Sequence, residues 1–220
     1  MDHPHFTIEK MQLSEIDEVA TILTHAFKTN PAYSIIFNET NNPVEGLLWL
    51  FKTNLFLLNR KQQLTYVVKE KNSRKAVGTY SLIPPEGAGT PFSAYLHIGI
   101  LQFISHFGFS PLRKMMSIDD VNKETLKESI KTNRYYYLSM VAIKEDYRGM
   151  GVGSYAIRSC LKSLSLIKRD CNIIGLTTQL PENVSFYSNL GFEKIGEGEI
   201  SFKNDKYYNY NMKYMIEDNG

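Results

Sequence analysis

Cysteine is nearly absent from this 220-residue chain: there are two, Cys160 and Cys171, with no Cys or His partner at metal-ligand spacing. That pattern excludes a disulfide framework and a zinc module, and it reads as a pair of buried thiols in a reducing compartment. No block of five or more basic residues occurs, and 25 Lys and Arg against 23 Asp and Glu leave a net charge of only +2. Neither nucleic acid nor a membrane surface is therefore an expected partner. The opening MDHPHFTIEK lacks the basic region and apolar core of a secretory signal. The longest apolar stretch, YLHIGILQFISHFGF at 95–109, contains two His and a Gln and is too short to span a bilayer. The expectation is a cytoplasmic protein without repeats or low-complexity segments.

What the chain does contain is the apolar fraction of a folded protein, 43%, in a length that favours a single domain over 1–220. After a strand-like FTIEKM comes LSEIDEVATILTHAF, where Leu13, Ile16, Val19, Ala20, Leu23 and Phe27 recur at helical steps. Ser14 is the expected cap of this helix, and Asn30-Pro31 breaks it. PVEGLLWLFKTNLFLLNR predicts a second helix, apolar around much of its circumference. LTYVVKE and KAVGTYSLI predict strands joined through the turn KNSRK. Pro84-Pro85 and EGAGTPF stop the second strand, and a helical insertion follows at about 88–131.

The last third is the most regular. RYYYLSMVAI predicts a strand, and GVGSYAIRSCLKSLSLI a helix with Val152, Ala156, Cys160, Leu164 and Ile167 on one face. NIIGLTT predicts another strand, and PENVSFYSNL a short helix between Pro181 and Gly191. FEKIGEGEISF and KYYNYNMKYMI close the chain as strands around Asn204-Asp205, the second being a candidate for pairing between subunits. This order implies an α/β mixed sheet, parallel where the helix crosses over.

Between strand and helix lies VAIKEDYRGMGVGSYAI. A helix start leaves its first N–H groups without partners, and with the helix dipole they form an anion site that glycines open to a phosphate. A P-loop would need Lys after its final Gly, and Ser154-Tyr155 stands there instead. A dinucleotide fold needs GxGxxG early in its sheet; here the spacing is GxGxG and the turn comes late.

YLSMVAIKEDYRGMGVGSYAI resembles the acyl-CoA-binding motif of the GNAT superfamily of N-acetyltransferases: Gln or Arg, two residues, Gly, one residue, then Gly or Ala. Arg148, Gly151 and Gly153 occupy that pattern. ENVSFYSNLGFEKIG resembles the family's helix and following strand, with an aromatic residue before Tyr187 and Gly-Phe after it. A looser likeness, in AFKTNPAYSIIF and the insertion before YYYLSMVAI, is to the branch that acetylates small amines, including puromycin-type acetyltransferases. The resemblance implies a mixed, mostly antiparallel twisted sheet with its parallel crossover at the CoA site and helices on both faces. It also implies acetyl-CoA as cosubstrate, no metal, and a small-molecule amine as acceptor.

Residue by residue, the resemblance implies that Met140, Val141, Ala142 and Ile143 pair with the pantetheine arm, with a bulge at Met140-Val141 freeing an N–H for the thioester oxygen. The diphosphate falls on the amides of Gly149, Met150, Gly151, Val152, Gly153 and Ser154, beside Arg148. Tyr187 matches the tyrosine next to the CoA sulfur that acts as general acid. A phenol with an ordinary pKa near 10 is protonated at pH 7 and can donate to a thiolate near 8.5. Asn183, one turn before it, is a candidate for the pantetheine.

The family's Glu positions correspond here to Tyr137 and Thr177. The base is then a chain of waters, a residue such as Glu86, His97 or His106, or an acceptor that arrives neutral. Arg158 and Lys162 can reach a 3′-phosphate or simply face solvent. The aromatics Trp49, Phe51, Phe56, Tyr95, Phe103, Phe107 and Phe109 form core and an apolar acceptor pocket. Three functions stay open: acetylation of a small amine, transfer to a protein or peptide amine, and a non-catalytic acyl-CoA sensor. The chain is expected as a monomer or homodimer.

Overall fold

The computed structural model describes residues 3–88, 99–167, 170–202 and 205–217. The first half contains β1 (Phe6–Lys10), α1 (Ile16–Phe27), α2 (Pro31–Phe37), α3 (Pro43–Asn59), β2 (Thr65–Glu70) and β3 (Ala76–Ile83). Helices α4 (Ile100–Phe107) and α5 (Phe109–Ile130) follow, then β4 (Tyr136–Ile143), α6 (Val152–Ser165) and β5 (Ile173–Thr178). The chain closes with α7 (Pro181–Ser188), β6 (Glu193–Phe202) and β7 (Asp205–Met215).

The strands form one sheet in the order β1-β2-β3-β4-β5-β7-β6. Every neighbouring pair is antiparallel except β4 and β5, which α6 joins in parallel. This is the α/β, mostly antiparallel sheet with one parallel crossover that the sequence implies. Alternation along the strands divides the core into two layers. Val67 and Ala76 face the layer built with α1, α2, α3, α4 and α5, while Val68 and Val77 face that of α6 and α7.

Local chemistry explains where several expectations shift. Ser14 is not a cap: it sits inside a 3-10 turn, Leu13–Glu15, ahead of α1. There the Gln12 N–H donates to Glu15 Oε2 at 2.8 Å. Asn30-Pro31 ends α1 and also starts α2, an element that the sequence reading lacks. Asn30 Oδ1 accepts from the N–H groups of Ala32 (3.0 Å) and Tyr33 (3.4 Å), with Pro31 as first helical residue. Ile167 lies past the end of α6 and is 52% exposed, and Phe109 is exposed rather than core. β7 runs between β5 and β6, and over Tyr210–Lys213 it pairs with a strand on each side, so that stretch has no open edge for another subunit. Tyr95, His97 and Asn204 lie outside the described residues, while Asp205 opens β7.

Helix α5 is seated close to the sheet because two glycines remove side chains beneath it. A Cβ on Gly175 of β5 would stand 2.6 Å from Ile130 Cδ1, and one on Gly196 of β6 would stand 2.6 Å from Ser129 Oγ. Near its other end, buried Lys114 ties α5 to α2 by donating to the Ile35 carbonyl (3.2 Å) and to Asn38 Oδ1 (2.7 Å).

Candidate active site

The sheet opens along its middle. β4 and β5 pair only at Tyr136↔Ile174 and Tyr137↔Gly175, although β4 continues to Ile143 and β5 to Thr178. Beyond Tyr137 the two strands diverge. In the same stretch β4 carries a bulge: against β3, Thr79 opposes Ala142 while Ser81 opposes Ser139, so two steps of β3 face three of β4. Met140 absorbs the extra residue with a left-handed φ of +50°. The consequence is visible in the packing. Leu138 packs in the α6 and α7 layer, Met140 and Ala142 in the opposite one, and Val141 and Ile143 again with α6. The expected irregularity at Met140-Val141 is present.

A cavity of about 770 Å³ runs through this opening. Its walls take Phe27, Tyr33, Trp49 and Leu57 from the helices of one layer, and Val141 and Tyr187 from the other side of the gap. Tyr187 is 7% exposed, and its ring meets Phe186 and Phe192 edge-on at 5.1 and 5.5 Å. Its hydroxyl has no hydrogen-bond partner among the described residues. Burial, reinforced by the neighbouring Tyr137, raises the Tyr187 phenol well above its ordinary value. Asn183, also on the cavity wall, donates to Thr178 Oγ1 at 3.0 Å, so the last residue of β5 fixes its amide.

The glycine turn sits at the end of β4. Gly149 and Gly151 have φ of +75° and +77°, with open space where a Cβ would be. That backbone is the reason for glycine at both. The first helical bond of α6 runs from the Tyr155 N–H to the Gly151 carbonyl at 2.9 Å, which leaves the amides of Val152, Gly153 and Ser154 without helical acceptors. Gly153 has a different, internal reason: its Cβ would stand 3.3 Å from Phe186 and 3.6 Å from Ile143. Arg148 and Met150 are exposed beside the turn, and the Arg148 Nε donates to the Ile143 carbonyl at 3.4 Å. Arg158 and Lys162 are exposed on α6.

Tyr137 and Thr177, read as replacing the family's Glu positions, stand side by side on the cavity wall with their hydroxyl oxygens 3.4 Å apart. Burial pushes the Tyr137 phenol up to about 12. Neither Glu86 nor His106 is on that wall, and His106 instead faces Glu45 at 3.5 Å. Residues that the sequence reading missed fill the rest. α5 contributes Asp119 and Asn122, and α2 contributes Tyr33. The signal was present: Met115, Ile118, Asp119 and Asn122 recur at three and four residue steps. Behind the wall an amide chain runs from Asn30 to Gln179 (3.1 Å), Asn209 (2.8 Å), Asn211 (2.9 Å) and Ser129 (2.9 Å). It locks α2, β7 and α5 around the opening.

The model of the acetyltransferase (GNAT) family matches residues 30–192, from the cap of α2 to the residue before β6. The chain belongs to the GNAT acetyltransferase family. Among solved structures, this GNAT domain is similar to a protein described as histone acetyltransferase HPA2 and related acetyltransferase from Corynebacterium glutamicum. The two are 17% identical over 97% of each chain, with a TM-score of 0.62. Arylalkylamine N-acetyltransferase 2 of Aedes aegypti is 14% identical over 96% of this chain and 99% of its own, at 0.64. The ribosomal-protein-S18-alanine N-acetyltransferase of Escherichia coli is 12% identical over 98% and 96%, at 0.54.

These names include small-amine and protein acceptors alike, so the likeness carries the fold and not the acceptor. A curated relative, a probable serine/threonine-protein kinase of Dictyostelium discoideum, is 21% identical over 206 residues, covering 88% of this chain. The GNAT chain spans only 21% of that relative's length. Among the described residues, no helix is long and apolar enough to cross a membrane, and no group of three or more His, Cys, Asp or Glu is placed to hold a metal ion.

Proposed function

We propose that this single GNAT domain transfers an acetyl group from acetyl-CoA to the primary amine of a small molecule, by direct attack of the amine on the thioester. The observation that carries the reading is the bulge at Met140, which stands where β4 leaves β5, on the wall of the cavity that Tyr187 also lines. A strand that has parted from its neighbour has main-chain groups to offer an extended ligand. Met140, Val141, Ala142 and Ile143 are then the partners of the pantetheine arm, with Asn183 beside it. The amides of residues 149–154 and the Arg148 guanidinium receive the diphosphate. Acetyl-CoA supplies the acetyl group as an activated thioester.

The Tyr187 phenol, kept neutral by burial, donates a hydrogen bond to the departing sulfur and returns a proton to it. Phe27, Tyr33, Trp49 and Leu57 suit an acceptor whose amine is carried on an apolar body. The buried state of Cys160 and Cys171 supports a reducing, cytoplasmic setting. The test is release of free CoA thiol in the presence of acetyl-CoA and a panel of arylalkylamines, polyamines, aminoglycosides and peptides. Turnover with a small apolar amine is the expected result. Turnover with peptides alone would move the acceptor to proteins, and tight acetyl-CoA binding without any turnover would make the chain a sensor.

A further inference from the structure

We infer that the hydroxyl pair of Tyr137 and Thr177 seats the acceptor nitrogen: the amine binds as its free base, donates an N–H to the Tyr137 oxygen, and turns its lone pair toward the thioester. The inference rests on this cavity being the place of acetyl transfer. Tyr137 is the last residue of β4 that pairs with β5, opposite Gly175, and Thr177 lies two residues further along β5, so the pair stands at the fork where the strands part. Both side chains turn to one face. Leu138, Ile174 and Leu176 pack in the α6 and α7 layer, which sends Tyr137, Gly175 and Thr177 the other way, and a Cβ on Gly175 would meet Leu126 and Ile130 of α5. Tyr187 reaches the cavity from the opposite layer.

The fork is where the reacting end of the donor falls. With its diphosphate at the glycine turn and its arm along Ile143 to Met140, acetyl-CoA runs down β4 toward Tyr137, and its acyl group arrives between Tyr187 on the sulfur side and the hydroxyl pair on the acceptor side. The pair has bonding capacity to spare. Its two oxygens stand 3.4 Å apart, longer than the usual hydroxyl contact of about 2.8 Å, and neither has another partner among the described residues. Whichever hydroxyl donates to the other, a lone pair on the Tyr137 oxygen stays open to an N–H of the ligand.

The surroundings favour a neutral amine. The ionisable groups that act on Tyr137, or on which it acts, are Tyr33 of α2, Asp119 of α5, Tyr187 of α7, Tyr207 of β7 and Tyr135 just ahead of β4. All but Asp119 are phenols that burial keeps protonated, and Asp119 is more than half exposed and paired with Lys123 of its own helix. Removing an ammonium from water beside neutral groups lowers its pKa. The bond changes then balance without an enzyme carboxylate: the amine lone pair forms the N–C bond, the C–S pair leaves with sulfur, Tyr187 protonates sulfur, and the surplus proton on nitrogen passes to water as water restores Tyr187.

The experiment measures kcat/KM from pH 6 to 9 for wild type, Tyr137→Phe, Thr177→Val and Thr177→Ser, with 2-phenylethylamine as first probe and the best amine of the panel as second. Wild-type kcat/KM should rise about tenfold per pH unit, following the free base of an amine with a pKa of about 10. Tyr137→Phe should lose roughly 10–100-fold at every pH, because the nitrogen loses its alignment while the need for a free base stays. Thr177→Val should lose less, and Thr177→Ser should recover the loss. Acetyl-CoA affinity by calorimetry and the thermal melt should stay as in wild type. A Tyr137→Phe enzyme with wild-type kcat/KM overturns the inference, and so does a wild-type profile that is flat over this range. A deficit that changes with pH overturns it in favour of proton transfer, and a parallel loss of acetyl-CoA affinity overturns it in favour of a cosubstrate contact. A wild type that acetylates no amine removes the proposed function and this inference together, whereas turnover that ignores Tyr137 removes the inference alone.

Discussion

Tyr187→Phe isolates one oxygen atom. The ring contacts with Phe186 and Phe192, at 5.1 and 5.5 Å, survive the change. The hydroxyl has no partner among the described residues, so folding stability should move by less than about 0.5 kcal/mol. What is lost is a proton donor at the cavity wall, and donors of this kind contribute about 10²–10⁴-fold, or roughly 3–5 kcal/mol of barrier at 1.36 kcal/mol per decade. In the proposed mechanism Tyr187 acts on sulfur after acceptor and donor are bound, so the loss should fall on kcat with KM for both substrates little changed. The assay is colorimetric detection of released CoA thiol at saturating substrates; the chain's own thiols, Cys160 and Cys171, are buried and add little background. The sign of the pH dependence follows from burial. The phenol must keep its proton to act, and its value is raised, so the alkaline loss of activity due to this group begins only above pH 10. A variant within about threefold of wild-type kcat, with an unchanged alkaline limb, would refute the acid role.

Further outcomes follow from the same structure. Gly151→Ala places a side chain at φ +77° and should cost about 1 kcal/mol in a thermal melt while weakening acetyl-CoA binding severalfold. Gly108→Ala, at φ +81° and ψ 178° in a region essentially restricted to glycine but away from α6, should cost more in the melt and leave the affinity normal; equal affinity loss in both would detach the glycine turn from the cosubstrate. Lys114→Ala removes a cation that holds the Ile35 carbonyl and Asn38, and that lies 3.2 Å from Glu39 and 3.7 Å from Asp205. Those acids are partly open to water, so about 2 kcal/mol in a urea titration is expected and no change in m-value. Tyr80 and Tyr187 are both buried with raised phenols. Their neutral form is favoured by the fold, so stability is intact below pH 10 and should fall by about 1 kcal/mol per group between pH 10 and 11, as the unfolded chain ionises first. Unfolding free energies that stay flat over that interval would show that the two phenols are hydrated.

The sheet was legible because period-two and 3.6-residue patterns are local. LTYVVKE, KAVGTYSLI and NIIGLTT each lie within one residue of β2, β3 and β5. Gly149 and Gly151 were legible as a turn for the same reason. Helix α2 was not, because Asn-Pro ends one helix and starts another by one and the same chemistry: a side-chain acceptor before a residue that lacks an N–H. The split of β4 from β5 has no local signal at all, since LSMVAI contains no glycine to mark a left-handed residue. Only the family resemblance pointed to Met140. The face that α5 turns to the cavity depends on Gly175 and Gly196, which belong to β5 and β6, so the place of Asp119 could not be read from the 22 residues of its own helix.

A left-handed methionine in mid-strand costs about 1–2 kcal/mol, so something must hold it there. Straightening β4 would return Met140 to the layer of Leu138 and send Val141 and Ile143 to the opposite one, exchanging the environment of every side chain that follows. Each of those side chains is already committed: Met140 is 9% exposed within the layer of α1 and α3, while Ile143 packs with α6. Gly78 of β3 completes the lock. It pairs with Ile143, and a Cβ there would stand 2.4 Å from Ile143 Cδ1, so the space that glycine vacates is filled by the residue that the bulge has turned. Packing on both faces therefore fixes the opening without a ligand, so an acyl donor bound there as proposed would meet main-chain groups around Met140 that are already in place.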